Sequence, residues 1–132
     1  VINLLEKLQR EKGFSYLFIA HDLEMVHHIS HKIGVMYLGH LVEEATTDDL
    51  FGMPYHPYSQ ALLSAVPQTN PHVKKQRIIL NGDVPSPIDP PSGCVFHTRC
   101  PYAMEICSKE PPCMKMINRE HRVACHLYDD NI

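Results

Sequence analysis

The sequence predicts an α/β protein that ends in a small, loop-rich, cysteine-containing extension. Three observations predict this. A helical pattern is followed by a short, continuous apolar run typical of a buried strand. All eleven prolines lie between Pro54 and Pro112, and all five cysteines follow Gly93. The composition therefore divides the 132-residue chain near residue 66, into parts 1–66 and 67–132.

The N-terminal elements predict a parallel sheet. A helix is expected over residues 1–12, because Val1, Leu4, Leu5 and Leu8 recur at helical spacing, and Gly13 suits a left-handed C-cap. The run Tyr16–Ala20 then reads as a strand covered on both faces. A helix followed by such a strand favours parallel pairing.

Histidines gather directly after this predicted strand. Asp22 is suited to cap a helix from Leu23 to about His31. His21 then lies at the carboxyl end of a strand, where it would either contact a phosphate or a water, or simply be a hydrogen-bonded histidine at a helix start. His27 and His31, four residues apart, form either a metal pair or part of a solvated face.

The next elements are a hairpin and two helices. Strands are predicted over Ile33–Leu38 and Leu41–Glu44, joined by Gly39-His40 as a type II′ turn. A helix start is expected at Thr46–Asp49, and a further helix has Pro57 in its first turn and runs to Val66.

The cysteines follow the pattern C-x5-C-x6-C-x5-C-x11-C. No apolar run approaches the roughly 20 residues that span a bilayer, and the N-terminal pattern is not that of a signal peptide. A net charge of −3 gives no reason to expect nucleic acid or an anionic lipid surface as a partner. In a cytosolic chain, metal or iron–sulfur ligation is favoured over disulfides and over unligated thiols.

Two groups of segments carry a family resemblance. The first resembles the end of an ABC-transporter ATPase domain and comprises Tyr16–Leu23, Val35–Gly39 and Val42-Glu43. The second resembles the C-terminal extension of oligopeptide and dipeptide importer ATPases and comprises Pro54–Leu63, Pro85–Pro101 and Val123–Leu127. By this resemblance, residues 1–66 are the C-terminal part of a P-loop ABC ATPase domain, and residues 67–132 are the importer extension with its cysteine module.

The resemblance implies part of the ATP-binding subunit of an importer of oligopeptides or dipeptides. Such a subunit uses ATP and Mg²⁺ and lies on the cytoplasmic face of the cell membrane. Its partners would be a second ATPase subunit, two membrane permease subunits and, indirectly, an extracytoplasmic solute-binding protein. His21 matches the switch histidine, the catalytic residue that senses the γ-phosphate. The Walker A, signature and Walker B motifs are absent, so the chain is expected to be a fragment that is inactive alone.

The resemblance also selects four metal ligands, and Cys113 falls outside the pattern. In related importers the extension holds a [4Fe-4S] cluster, and the matching positions are Cys94, Cys100, Cys107 and Cys125. Zinc is the alternative, although the gaps are wider than those of zinc knuckles. His97 and Arg99 either donate to cluster sulfurs or are simply exposed. The alternative function is a free-standing cysteine-rich metal or iron–sulfur module without ATPase activity.

Overall fold

The computed structural model describes residues 1–67 and 76–129. It contains five helices, four strands and two short 3₁₀ turns (His97–Arg99 and His126–Tyr128) within those ranges. The longer elements, in chain order, are α1 (Ile2–Lys12), α2 (Leu23–Ile29), β1 (Lys32–Tyr37), β2 (His40–Thr46), α3 (Thr47–Gly52), α4 (Pro57–Ser64), α5 (Glu105–Lys109), β3 (Met114–Asn118) and β4 (His121–Ala124). None of the helices within residues 1–67 and 76–129 has the length and apolar composition of a membrane-spanning segment.

The strands form one antiparallel sheet in the order β1-β2-β4-β3. β2 pairs with β4 through Glu43 opposite Val123 and Glu44 opposite Arg122. The sheet therefore draws strands from both sides of residue 66, although the domain boundary there stays a prediction, and part of 67–132 lies outside the described residues. The mixed helix and sheet content agrees with the coarse α/β prediction. The predicted parallel pairing is wrong, since all the pairs among the described strands are antiparallel.

Residues 16–20 do not form the predicted strand. Leu17 and Ile19 are 94% and 92% exposed, and no described strand pairs with this segment. A two-sided buried strand needs neighbours that accept its backbone hydrogen bonds and helices that cover its faces. The four strands of the sheet all lie later in the chain and pair with one another, so this run forms no regular element and stays largely exposed.

Most of the residues predicted to begin or end a helix do so in the structure. Gly13 ends α1 in the left-handed conformation. The Asp22 carboxylate caps α2 by accepting from the backbone N–H groups of Glu24 and Met25, at 3.0 and 3.2 Å. Thr46 caps α3, and Pro57 opens α4. The predicted C-terminal ends of α2 and α4 lie two residues too far along the chain, because α2 stops at Ile29 and α4 stops at Ser64.

The hairpin between β1 and β2 forms, but its turn differs from the prediction. Tyr37 pairs with His40, so Leu38 and Gly39 are the two turn residues. Both have positive φ angles, 46° and 80°. Positive φ at both positions is the signature of a type I′ turn, which matches the right-handed twist of the strands. The type II′ prediction at Gly39-His40 was therefore shifted by one residue.

The core joins the cysteine-bearing segment to the hairpin. Phe96 is 1% exposed and lies among three rings, with centroid distances of 5.2 Å to Tyr37, 5.5 Å to Tyr58 and 5.6 Å to His56. A second cluster contains Ala45, Leu50 and Leu63. Because aromatic burial contributes strongly to stability, residues 94–96 are held against the part of the chain between residues 37 and 58.

A buried carboxylate lies between these segments. Glu43 is fully buried and accepts hydrogen bonds from the backbone N–H groups of Tyr55 at 2.7 Å and His56 at 3.0 Å. Its Oε1 also lies 2.6 Å from Nε2 of the buried His121. Through these contacts the Glu43 side chain joins three elements: its own strand β2, the residues that lead into α4, and strand β4. A buried carboxylate is tolerated because its oxygens are well paired.

The His56 ring caps α4 from a buried position. Its Nδ1 accepts from the backbone N–H of Tyr58 at 3.1 Å, so the neutral ring carries its proton on Nε2. Nε2 is buried and has no hydrogen-bond partner among the described residues. Burial lowers the pKa of His56 to about 4, and the nearby Glu43 carboxylate acts in the opposite direction. The ring is therefore neutral in the folded protein near pH 7.

We expect Glu43→Gln to lower the free energy of unfolding by about 3–5 kcal/mol, because it removes the charged partner of His121 and turns an amide NH₂ toward backbone donors. Denaturant titration of the folded protein measures this. Glu44→Gln is the matched control: Glu44 contacts Lys32 and Arg122 at a partly exposed position, and its loss should cost less than about 1 kcal/mol. Equal losses in the two variants would contradict a special role for Glu43.

We expect His56 to make stability pH-dependent. Its pKa falls from about 6.5 in the unfolded chain to about 4 in the folded protein, so its contribution is complete above pH 6.5 and is lost as the pH falls toward 4. The slope is about 1.4 kcal/mol per pH unit. His56→Asn keeps a capping acceptor but does not titrate. Unfolding free energies measured from pH 7 to 4 should fall less steeply in this variant, and parallel curves would refute the prediction.

Candidate functional site

Four of the five cysteines form one group. Cys94, Cys107 and Cys125 are buried, and Cys100 is half-buried. Cys94 and Cys107 belong to one buried cluster, against which Cys100 packs. Charge on any of these three sulfurs would raise the pKa of Cys125, so Cys125 lies in the same locality. Cys113 is exposed and is not among these electrostatic neighbours. The structure thus brings together the four positions that the resemblance selected, and their ligand role stays a prediction.

Short local elements position the four thiols. Cys94 leads into the 3₁₀ turn His97–Arg99, Cys100 directly follows this turn, Cys107 lies in α5, and Cys125 follows β4. The backbone N–H of Cys94 donates to the carbonyl of Cys107 at 2.7 Å. The backbone N–H of Met104 donates to the Cys107 sulfur at 3.4 Å. Tight turns and backbone bonds, rather than long elements, therefore set the arrangement.

Burial favours the protonated form of three of these thiols, those of Cys94, Cys100 and Cys125. Burial raises the pKa of Cys94 and of Cys100, although hydrogen bonding from the backbone of Phe96 and of Tyr102 acts against it. Burial also raises the pKa of Cys125 to about 12. Thiolates, not thiols, bind metals. A bound cation or cluster would therefore have to displace the protons of Cys94, Cys100 and Cys125 against this effect of burial.

The described residues contain no group of three or more His, Cys, Asp or Glu side chains placed to hold one metal ion. A tetrahedral zinc site with bonds of about 2.3 Å needs thiolate sulfurs about 3.8 Å apart. The four cysteines are thus neighbours without being packed around a single-ion centre.

Two side chains beside the cysteines do not reach a sulfur in the described contacts. His97 Nδ1 lies 2.8 Å from the carbonyl oxygen of Cys94. Arg99 lines a groove with Ile79 and Leu80. His97 therefore supports the Cys94 turn through the backbone, and Arg99 contributes to the groove.

A histidine that the sequence analysis overlooked follows Cys125 directly. His126 is buried, and its ring nitrogens lie 2.7 Å from the Asp129 carboxylate and 2.8 Å from the Glu110 carbonyl oxygen. Burial lowers the pKa of His126, but the hydrogen bonds to Asp129 and Glu110 outweigh it and raise the pKa overall. His126 thereby fixes the chain beside Cys125. The only sequence signal was its position next to a predicted ligand.

His21 lies on an exposed bend between residues 13–20 and α2. No hydrogen bond or ion pair joins it to the cysteines within the part of the chain that is described, so its catalytic role stays a prediction. The helix face that His27 and His31 were expected to share does not form, because α2 ends at Ile29 and His31 lies beyond it. The His27 ring instead packs on Phe51, with centroids 4.2 Å apart.

The family match crosses the predicted boundary near residue 66. The family model described as the C-terminal region of oligopeptide/dipeptide transporters matches residues 42–107, which is half of the chain. This range holds Glu43, His56 and the first three grouped cysteines.

Curated relatives match nearly the whole chain. It is 55% identical over 130 residues to the putative oligopeptide transport ATP-binding protein YkfD of Bacillus subtilis, and 54% identical over 131 residues to the oligopeptide transport ATP-binding protein OppF of Escherichia coli. These alignments include 97% and 98% of the chain but only 40% and 39% of the two relatives, so the chain spans about two fifths of their length. With half of its residues matched by the family model, the chain belongs to the oligopeptide/dipeptide transporter C-terminal region family.

Proposed function

We propose that the chain is part of the ATP-binding subunit of an ABC transporter that imports oligopeptides or dipeptides and couples ATP hydrolysis to uptake. The observation that carries this proposal is the 55% identity over 130 residues to an oligopeptide transport ATP-binding protein. The complete subunit would bind ATP and Mg²⁺ at the cytoplasmic face of the membrane. It would act with a second ATPase subunit, two permease subunits and, indirectly, a solute-binding protein.

In this proposal His21 is the switch histidine. Its exposed bend leaves the imidazole accessible, and the Asp22 cap fixes the turn that carries it. An accessible imidazole held by a rigid turn is suited to contact the γ-phosphate and to orient the attacking water, as phosphoryl transfer requires.

The cysteine group is proposed to hold a [4Fe-4S] cluster, with Cys94, Cys100, Cys107 and Cys125 as ligands. Four neighbouring thiols, three of them buried, fit a group that needs four thiolates and protection from water. The backbone N–H that reaches the Cys107 sulfur is typical of cluster sites. The gaps of five and six residues between the first three of these cysteines are wider than those of zinc knuckles, so the cluster is favoured and zinc remains the alternative metal. When bound, it would cross-link these segments and could carry one electron.

A free-standing cysteine-rich module is the second reading. It is less well supported, because β4 pairs with β2 and Phe96 packs among rings from residues 37–58. The cysteine segment is therefore built into the same sheet and core as the rest. Leu17 and Ile19 are also far more exposed than is usual for apolar side chains of an independent module.

In the full-length subunit, His21→Ala should lower steady-state ATP turnover at least about tenfold, equivalent to about 1.4 kcal/mol in transition-state stabilisation, while ATP binding stays largely intact. Hydrolysis by the purified transporter and binding by calorimetry separate the two effects. His31→Ala is the control, since His31 is exposed and lies just beyond α2. Unchanged turnover in His21→Ala would remove this residue from the mechanism.

Protein purified without oxygen should be brown, absorb at about 400 nm and hold about four irons per chain. Serine at any of the four grouped cysteines should abolish the colour, because each supplies one ligand, whereas Cys113→Ser should leave it unchanged. Iron analysis and absorption spectra test both statements. Stoichiometric zinc without iron would identify the other metal, and metal loss in Cys113→Ser with retention in Cys125→Ser would identify a different fourth ligand.

A further inference from the structure

Residues 92–94 lie directly against the backbone of α5. The backbone N–H of Cys94 donates to the carbonyl of Cys107 at 2.7 Å, and the Ser92 hydroxyl donates to the carbonyl of Ser108 at 2.9 Å. Two hydrogen bonds from positions on either side of Gly93 therefore join this turn to the helix that carries Cys107.

Gly93 itself makes the closest approach. A Cβ atom at this position would lie 2.4 Å from the Cys107 carbonyl oxygen, 2.8 Å from the Ser108 carbonyl carbon and 3.0 Å from the Lys109 nitrogen. All three are backbone atoms, so no side-chain rotation could relieve the overlap. Ordinary carbon contacts begin near 3.5 Å, so any side chain would force the two segments apart by about 1 Å.

Such a shift would act on two of the four grouped cysteines at once. Cys94 and Cys107 are buried in the same core cluster, and their thiols are electrostatic neighbours. Ligand constellations tolerate displacements of only about 0.5 Å. We propose that Gly93 is a positioning residue of the cysteine site, and that its missing side chain sets the separation of Cys94 and Cys107. The proposal rests on the cluster site described under the proposed function.

The chain supplies a matched control for backbone conformation. Gly93 and Gly82 have φ angles of 71° and 81°, both in the left-handed region. Alanine at either position therefore carries a similar conformational cost. At Gly82, however, the nearest atom to an added Cβ is the flexible Cγ of Arg99, at 4.0 Å. Gly93→Ala and Gly82→Ala therefore introduce a similar backbone strain, but only Gly93→Ala places a Cβ atom against α5.

A second control separates positioning from simple loss of stability. Leu50 is buried in the other core cluster, with Ala45 and Leu63, and not in the cluster that holds Cys94 and Cys107. Leu50→Ala should destabilise the fold by creating a cavity while it leaves the cysteine turn in place.

The test uses the full-length subunit, purified without oxygen and reconstituted with iron and sulfide. Gly93→Ala should lose about tenfold or more in iron retained against a chelator, the range seen when groups that orient metal ligands are altered. Gly82→Ala and Leu50→Ala should keep wild-type iron and absorption near 400 nm. If Gly93→Ala keeps its iron, or if Leu50→Ala loses as much, the proposal is overturned.

A second experiment, which needs no bound metal, distinguishes the proposed role of Gly93 from the proposed iron–sulfur cluster. Phenylarsine oxide joins two nearby thiols, forming two As–S bonds as its oxygen leaves with both thiol protons as water. Peptide mapping should locate this bridge on Cys94 and Cys107 in wild type and in Gly82→Ala, and show its loss in Gly93→Ala. Wild type that holds no iron but forms the bridge would refute the cluster and support the role of Gly93. A bridge that survives in Gly93→Ala would refute that role.

Discussion

The fold depends on the burial of one carboxylate. Glu43 meets donors from the residues before α4 and from β4, and its partner His121 is 78 residues away in the chain. A charge in this position is strongly unfavourable unless all of its partners are in place. The pairing of β2 with β4 and the seating of α4 are therefore linked, because each supplies part of what makes the buried charge tolerable.

The same side chain connects the sheet to the cysteines. Tyr55 donates its backbone N–H to Glu43 and accepts at its carbonyl the hydroxyl proton of Tyr128, at 2.9 Å. Tyr128 follows Cys125 by three residues, and His126 holds the intervening turn to Glu110. A continuous set of hydrogen bonds thus runs from the middle of β2 to the last grouped cysteine, and Phe96 provides a second, apolar connection. The positions of the grouped cysteines therefore depend on contacts with the sheet.

Features with local causes could be predicted from the sequence, and features with distant causes could not. The Asp22 cap and the opening of α4 at Pro57 depend on neighbours within a few residues, and both were found. The strand expected at residues 16–20 required partner strands, which the described chain does not provide. The Glu43–His121 pair left no local pattern, since a glutamate in a strand usually faces solvent. The grouping of four cysteines came from family resemblance, whereas the close approach at Gly93 needed coordinates.

The raised pKa of the Cys125 thiol has a consequence for its reactivity. Alkylating agents and peroxides attack the thiolate, and a pKa of about 12 leaves only about one Cys125 side chain in 10⁵ ionised at pH 7. Burial slows attack further. The exposed Cys113 thiol is then the first to meet an oxidant, while the buried Cys125 thiol reacts more slowly. The fold thereby shields the thiol that follows β4 and leaves the thiol that precedes β3 open to chemical modification.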